Sequence, residues 1–130
     1  MKKGLFVFLF VWLIPIMVSA NISVPNFRSI NSTQIILDDK YVHNDHVEYN
    51  YSCRDNRGIQ YAQQYVNKLV SQYSFVLSKS SSSGHWYLTR PTSGIGLVDW
   101  NWGTDKRFHI FVEASSDGVD VFTAKGINMN

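Results

Sequence analysis

The sequence predicts an α+β fold, with one amphipathic helix packed on an antiparallel β-meander of about five strands. Two observations lead there. From Arg57 to Tyr73 apolar residues recur at three- and four-residue steps, the spacing of one helical face. After Tyr73 the period drops to two, in short runs separated by turn residues, as hairpin-connected strands require.

The chain opens with what reads as a secretory signal peptide, residues 1–20. Lys2 and Lys3 supply its positive end, Leu5 to Met17 carry no charge, and Val18-Ser19-Ala20 offer small residues for cleavage. The apolar run is short for a membrane span and holds Pro15. Residues 21–130 are then expected to form a single small domain in the periplasm or outside the cell. A domain of that size buries about 65% of its unfolded surface and needs no covalent staples. Cys53 is the one cysteine of the chain, so no internal disulfide is available, and a buried thiol is the expected state. The sequons at Asn21, Asn31 and Asn50 carry no message in a bacterial export pathway, which the short Lys-led signal fits better. Twelve Lys and Arg face ten Asp and Glu, and two of those lysines lie in the signal, which leaves the domain balanced. That balance argues against nucleic acid and, after signal cleavage, against a membrane as partner.

Residues 21–33 lack apolar periodicity and hold Pro25, so they are expected to be a loose lead-in. Gln34 to Leu37 is a short strand candidate that Asp38-Asp39 should break, and His46 to Tyr51 alternates as a second. Asp55 or Asn56 is placed to cap the helix, and Gly58 weakens its first turn. Within the helix, Ile59, Ala62, Val66, Leu69 and Tyr73 make the apolar stripe, with Gln60, Gln63, Gln64, Asn67 and Lys68 opposite. The strand candidates that follow are Phe75 to Lys79, Trp86 to Arg90, Leu97 to Trp102, Phe108 to Ala114 and Val119 to Ala124.

Three registers bring apolar residues onto one face. They set Ala114 opposite Val119, Trp102 opposite Phe108 (hence Trp100 opposite Ile110 and Val98 opposite Val112), and Lys79 opposite Trp86 with Leu77 on Leu88. The face toward the helix would hold Leu77, Trp86, Leu88, Val98, Trp100, Trp102, Phe108, Ile110, Val112 and Val121. The other face would carry Ser78, Tyr87, Thr89, Asp99, Asn101, His109, Phe111, Glu113, Asp120 and Phe122, with the two phenylalanines directly opposite. Such a mixed aromatic and polar face is either a partner-binding patch or a surface half covered by the N-terminal strands.

Candidate chemistry is sparse. Trp100-Asn101-Trp102 invites sugar stacking, but the register puts both indoles in the core. His43, Asp45, His46 and Glu48 are the densest set of potential metal ligands, yet their spacing matches no strong motif, so a solvated loop and no metal are expected. No nucleophile elbow, phosphate loop or paired carboxylates point to an enzyme, and His109 beside Asp99 lacks an evident nucleophile. No cofactor is implied.

Ser83-Gly84-His85-Trp86-Tyr87 fits S-G-x-x-Y and resembles the short motif of periplasmic lysozyme inhibitors. The resemblance is confined to those five residues; that family is all-β with a paired cysteine. It implies that Ser83 enters a lysozyme cleft near the catalytic carboxylates while Tyr87 supports the loop. The expected function is that of a small non-enzymatic domain binding another protein through Ser83, Gly84, His85, Tyr87, Phe111 and Phe122. An inhibitor or immunity protein against a cell-envelope-acting enzyme is its sharpest form. The alternatives are a small hydrolase or metal-dependent enzyme using His43, His46 or His109, and a structural or carbohydrate-binding envelope component.

Overall fold

The helix forms where its spacing predicts. The computed structural model describes residues 21–81, 83–91 and 107–130, and in it α1 spans Gly58–Gln72. Around α1 lie β1 (Ile22–Val24), a 3-10 turn (Phe27–Ile30), β2 (Ile35–Val42), β3 (His46–Cys53), β4 (Val76–Ser81), β5 (His85–Pro91), β6 (Arg107–Ala114), β7 (Gly118–Ala124) and β8 (Ile127–Met129). Six strands make an antiparallel sheet in the order β2-β3-β7-β6-β5-β4, and β1 pairs with β8 in a separate parallel ribbon. The α+β class therefore holds, with a main sheet of six strands where about five were expected. Among the described residues, no helix is long and apolar enough to cross a membrane.

The face of α1 that enters the core is turned from the expected one. Tyr61, Ala62, Tyr65, Val66 and Leu69 are buried, while Ile59 stays 43% exposed and Tyr73 is only half-buried. Both tyrosines can go inside because each hydroxyl finds a partner. The Tyr65 hydroxyl donates to the Pro25 carbonyl at 2.7 Å, and that of Tyr61 donates to the Asp55 carboxylate and accepts from Asn31 Nδ2. Asp55 is thus taken by Tyr61, and no side chain caps α1. Instead the Gly58 N–H donates to the Ser116 carbonyl at 2.9 Å, pinning the helix to the β6–β7 turn. A Cβ at Gly58 would sit 2.1 Å from the Ser115 carbonyl oxygen, so this close approach requires glycine.

The inner sheet face is a set of cross-strand rows. Trp86, Val112, Val121 and Tyr49 form one, and Leu88, Ile110, Thr123 and Val47 the next. The β6–β7 register is the expected one, with Ala114 on Val119 and Val112 on Val121. Between β4 and β5, Leu77 meets Leu88 as expected, but a bulge after Leu77 sets Lys79 on Tyr87 and Ser80 on Trp86. On this edge strand Leu77 remains 40% exposed and does not join the core. The expected pairing of Val98 and Trp100 with β6 is overturned, because Ile110 and Val112 already have β5 on one side and β7 on the other. Leu97 to Trp102, with Asp99 and Asn101, lies outside the described residues.

The N-terminal segments correct two further expectations. Residues 21–33 are no loose lead-in: Val24 and Phe27 are buried, and the Phe27 ring meets Tyr51 and Tyr65 edge-on at 5.1 and 5.4 Å. Asp38-Asp39 does not end β2, since the strand absorbs Asp38 as a bulge between Leu37 and Asp39 and runs on to Val42. Moreover β2 and β3 extend the main sheet alongside β7 and do not cover its outer face. Cys53 is a buried free thiol, and burial first, then the carboxylates of Asp55 and Asp117, push its pKa up.

Candidate functional site

Period-two alternation sends every second residue of the central strands away from α1, and the register lines these residues up across the sheet. Tyr87 on β5 lies opposite Phe111 on β6, Phe111 opposite Phe122 on β7, and Phe122 opposite Glu48 on β3. The Tyr87 and Phe111 rings stack at 4.3 Å between centroids and 16° between planes. Phe111 nevertheless stays 37% exposed. Beside it a shallow groove of about 280 Å³ is lined by His46, Phe111, Glu113 and Phe122.

Polar side chains frame this aromatic row. Glu113 lies opposite Asp120, and Asp120 opposite Asn50. Asn50 Nδ2 donates to Asp120 Oδ1 at 2.7 Å and to Glu48 Oε2 at 3.1 Å, which holds both carboxylates in place. His85 Nδ1 lies 3.7 Å from Glu113 Oε1. The rim is therefore acidic on a chain of formal net charge +2.

At the far end the same face is closed. His109 and Thr89 are each 1% exposed, on a face expected either to bind a partner or to be half covered by the N-terminal strands. The Tyr87 ring stacks parallel to His109 at 5.7 Å, and its hydroxyl hydrogen-bonds His109 Nδ1. Arg107 Nη1 donates to Thr89 Oγ1 at 3.3 Å, and Ser78 shares a hydrogen bond with the same hydroxyl at 3.1 Å. Tyr87 is thus held by a buried histidine on one side and supports the exposed Phe111 on the other. His109 is no solvent-facing acid–base group in this arrangement.

The β4–β5 tip is a different kind of surface. Ser83 and His85 are exposed, and Ser81 and Ser83 share a hydrogen bond at 2.9 Å. Gly84, by contrast, is buried at φ 92°, and a Cβ there would lie 2.4 Å from the Ala114 carbonyl oxygen. Its own carbonyl accepts from the Ala114 N–H at 2.8 Å. Gly84 therefore shapes the tip and anchors it to β6. The Tyr87 hydroxyl turns to His109.

The β2–β3 hairpin contributes the histidines weighed from the sequence. His43 and His46 stack at 4.3 Å, His43 Nε2 lies 3.7 Å from Glu48 Oε1, and His46 Nδ1 bonds Asp45 Oδ1 at 2.7 Å. That bond, before any other cause, lowers the pKa of the Asp45 carboxyl. His109 does not belong to this group: among the described residues, the side chains whose ligand atoms converge are His43, His46 and Glu48. Alternation alone could have placed Glu48 beside Phe122, but only the hairpin turn brings His43 back over His46. Comparison with protein-family models, curated proteins and solved structures found no match to this chain.

Proposed function

We propose that the protein is a small exported, non-enzymatic domain that binds another protein through the outer face of its sheet. In its sharpest form it is a periplasmic inhibitor or immunity protein directed at an enzyme that acts on the cell envelope. The observation that carries the reading is the row Tyr87–Phe111–Phe122, an exposed Phe111 between two half-buried aromatics on paired strands. Aromatic side chains at the middle of a patch are the usual anchors of protein interfaces, and a polar rim excludes water around them. Glu48, Glu113 and Asp120 supply that rim, so the complementary partner surface is basic with an apolar centre. The exposed Ser83 and His85 extend the surface along the β4–β5 tip, next to Glu113. The S-G-x-x-Y resemblance adds the envelope enzyme as partner class, with Ser83 as the residue that would enter its cleft.

The reading is tested by capturing a partner from envelope extract and then titrating the purified partner. Phe111→Ala should weaken the complex by about 2 kcal/mol, near thirtyfold. Ser83→Ala decides how the surface works: a comparable loss means an inserted loop, and no loss means a flat aromatic face. Unchanged affinity in both variants would remove this face from the interface.

A further inference from the structure

Beyond that reading, the β2–β3 hairpin that borders the aromatic face through His46 and Glu48 holds a donor set with a chemistry of its own. We propose that His43, His46 and Glu48 bind a divalent transition-metal ion of the zinc class. Their ligand atoms all lie within 4.8 Å of one another. A tetrahedral zinc site, with bonds of about 2.0–2.1 Å, spaces its donors roughly 3.4 Å apart. Closing the difference takes a reorientation of the His43 ring, and its 45% exposed side chain has room to make it.

Two neighbours orient the set. Asp45 Oδ1 sits 2.7 Å from His46 Nδ1, fixing the tautomer that presents Nε2 as the metal-binding nitrogen. Asn50 Nδ2 holds Glu48 Oε2 at 3.1 Å, and the other oxygen, Oε1, is the one facing His43. Carboxylates and amides behind the ligands in this way are the ordinary support of metal-binding histidines and carboxylates. The hairpin is closed between its two histidines, because the His43 N–H donates to the His46 carbonyl at 2.8 Å. Two imidazoles and a carboxylate favour zinc, copper or nickel, whereas calcium and magnesium take oxygen donors. Three protein ligands leave a fourth position for water or for a group from another molecule.

One feature of the hairpin has to change on binding. The two rings are nearly parallel, 15° apart at 4.3 Å. An ion lies in the plane of each imidazole that binds it, so stacked rings cannot share one. Loading must swing His43 out of the stack, which gives the site a signature besides affinity.

The experiment titrates the purified, tag-free protein with Zn²⁺ and with Co²⁺, following heat and the visible absorption of cobalt. One equivalent should bind. His43→Ala and His46→Ala should each lower affinity on the order of 100-fold, and Asp45→Asn about 10-fold or more. His85→Ala should leave binding unchanged. Imidazole NMR signals of His43 and His46 should move on zinc addition while those of His109 stay. Should His46→Ala disturb the strand, the tip residue His43 still carries the test. Absence of stoichiometric binding, or binding that His43→Ala leaves intact, would overturn the proposal.

Discussion

Single tyrosines decide how the core closes. Tyr65 is fully buried and Tyr51 nearly so, and burial first of all pushes both phenols well above their usual range. A phenol whose folded pKa is raised keeps its proton after the unfolded chain has lost it. Its stabilising effect is therefore complete below about pH 10 and fades as the pH rises beyond that value. Thermal melts should fall steeply from about pH 10 upward, by as much as ~1.4 kcal/mol per pH unit for each such tyrosine. Tyr65→Phe should cost about 1 kcal/mol at neutral pH through the lost bond to Pro25, and should soften that alkaline fall. Urea titrations at neutral pH and above about pH 10 check both. The sequence announced the helix and, in Ala62, Val66 and Leu69, the middle of its buried stripe, but not the tyrosines beside them. Hydropathy spacing favours Ile59, whereas acceptors at Pro25 and Asp55, distant in sequence or outside the helix, let Tyr65 and Tyr61 take the inner positions.

At the scale of elements, periodicity located β5, β6 and β7 and the β6–β7 register, because alternating strands with one apolar face strongly specify their register. It did not give the β5–β6 pairing, since it set the Leu97 to Trp102 candidate beside β6. Bulges escaped it. Asp38 and the residue after Leu77 each add one residue to an edge strand, where the exposed backbone tolerates the extra length. The 3-10 turn also left no periodic trace, since its four residues bury one side chain, Phe27. The helix terminus offers a direct test. Tyr73 and Phe75 N–H groups both reach the Leu69 carbonyl, at 3.1 and 3.2 Å, and Ser74 between them sits at φ 61°. Glycine occupies that conformation without the penalty a side chain incurs. Ser74→Gly should raise stability by roughly 0.5–1 kcal/mol in urea unfolding. The inner row of β5 gives the opposite sign: Trp86→Ala should cost about 3–5 kcal/mol by the same measurement. Trp100 and Trp102, expected in the same core, lie outside the described residues.

Taken as a whole molecule, the fold has one face committed to α1 and another that is sorted along its length. The end around His109 and Thr89 is buried, and the centre around Phe111 is open between acidic side chains. Alternation made Phe111 and Phe122 legible as opposite neighbours, and the structure adds the Tyr87 stack and the groove beside His46. What alternation does not encode is the hairpin turn that brings His43, His46 and Glu48 together. The same hairpin borders the aromatic groove through His46, so binding by aromatic anchors and chemistry by histidines make different demands on adjacent residues. Capture from envelope extract with two double variants, both checked for intact folding by circular dichroism, separates them. Tyr87→Ala with Phe111→Ala should abolish capture of the partner, and His43→Ala with His46→Ala should leave it in place. Loss of biological activity in the histidine variant alone, with the aromatic variant still whole, would contradict a protein-binding face and return the function to the hairpin.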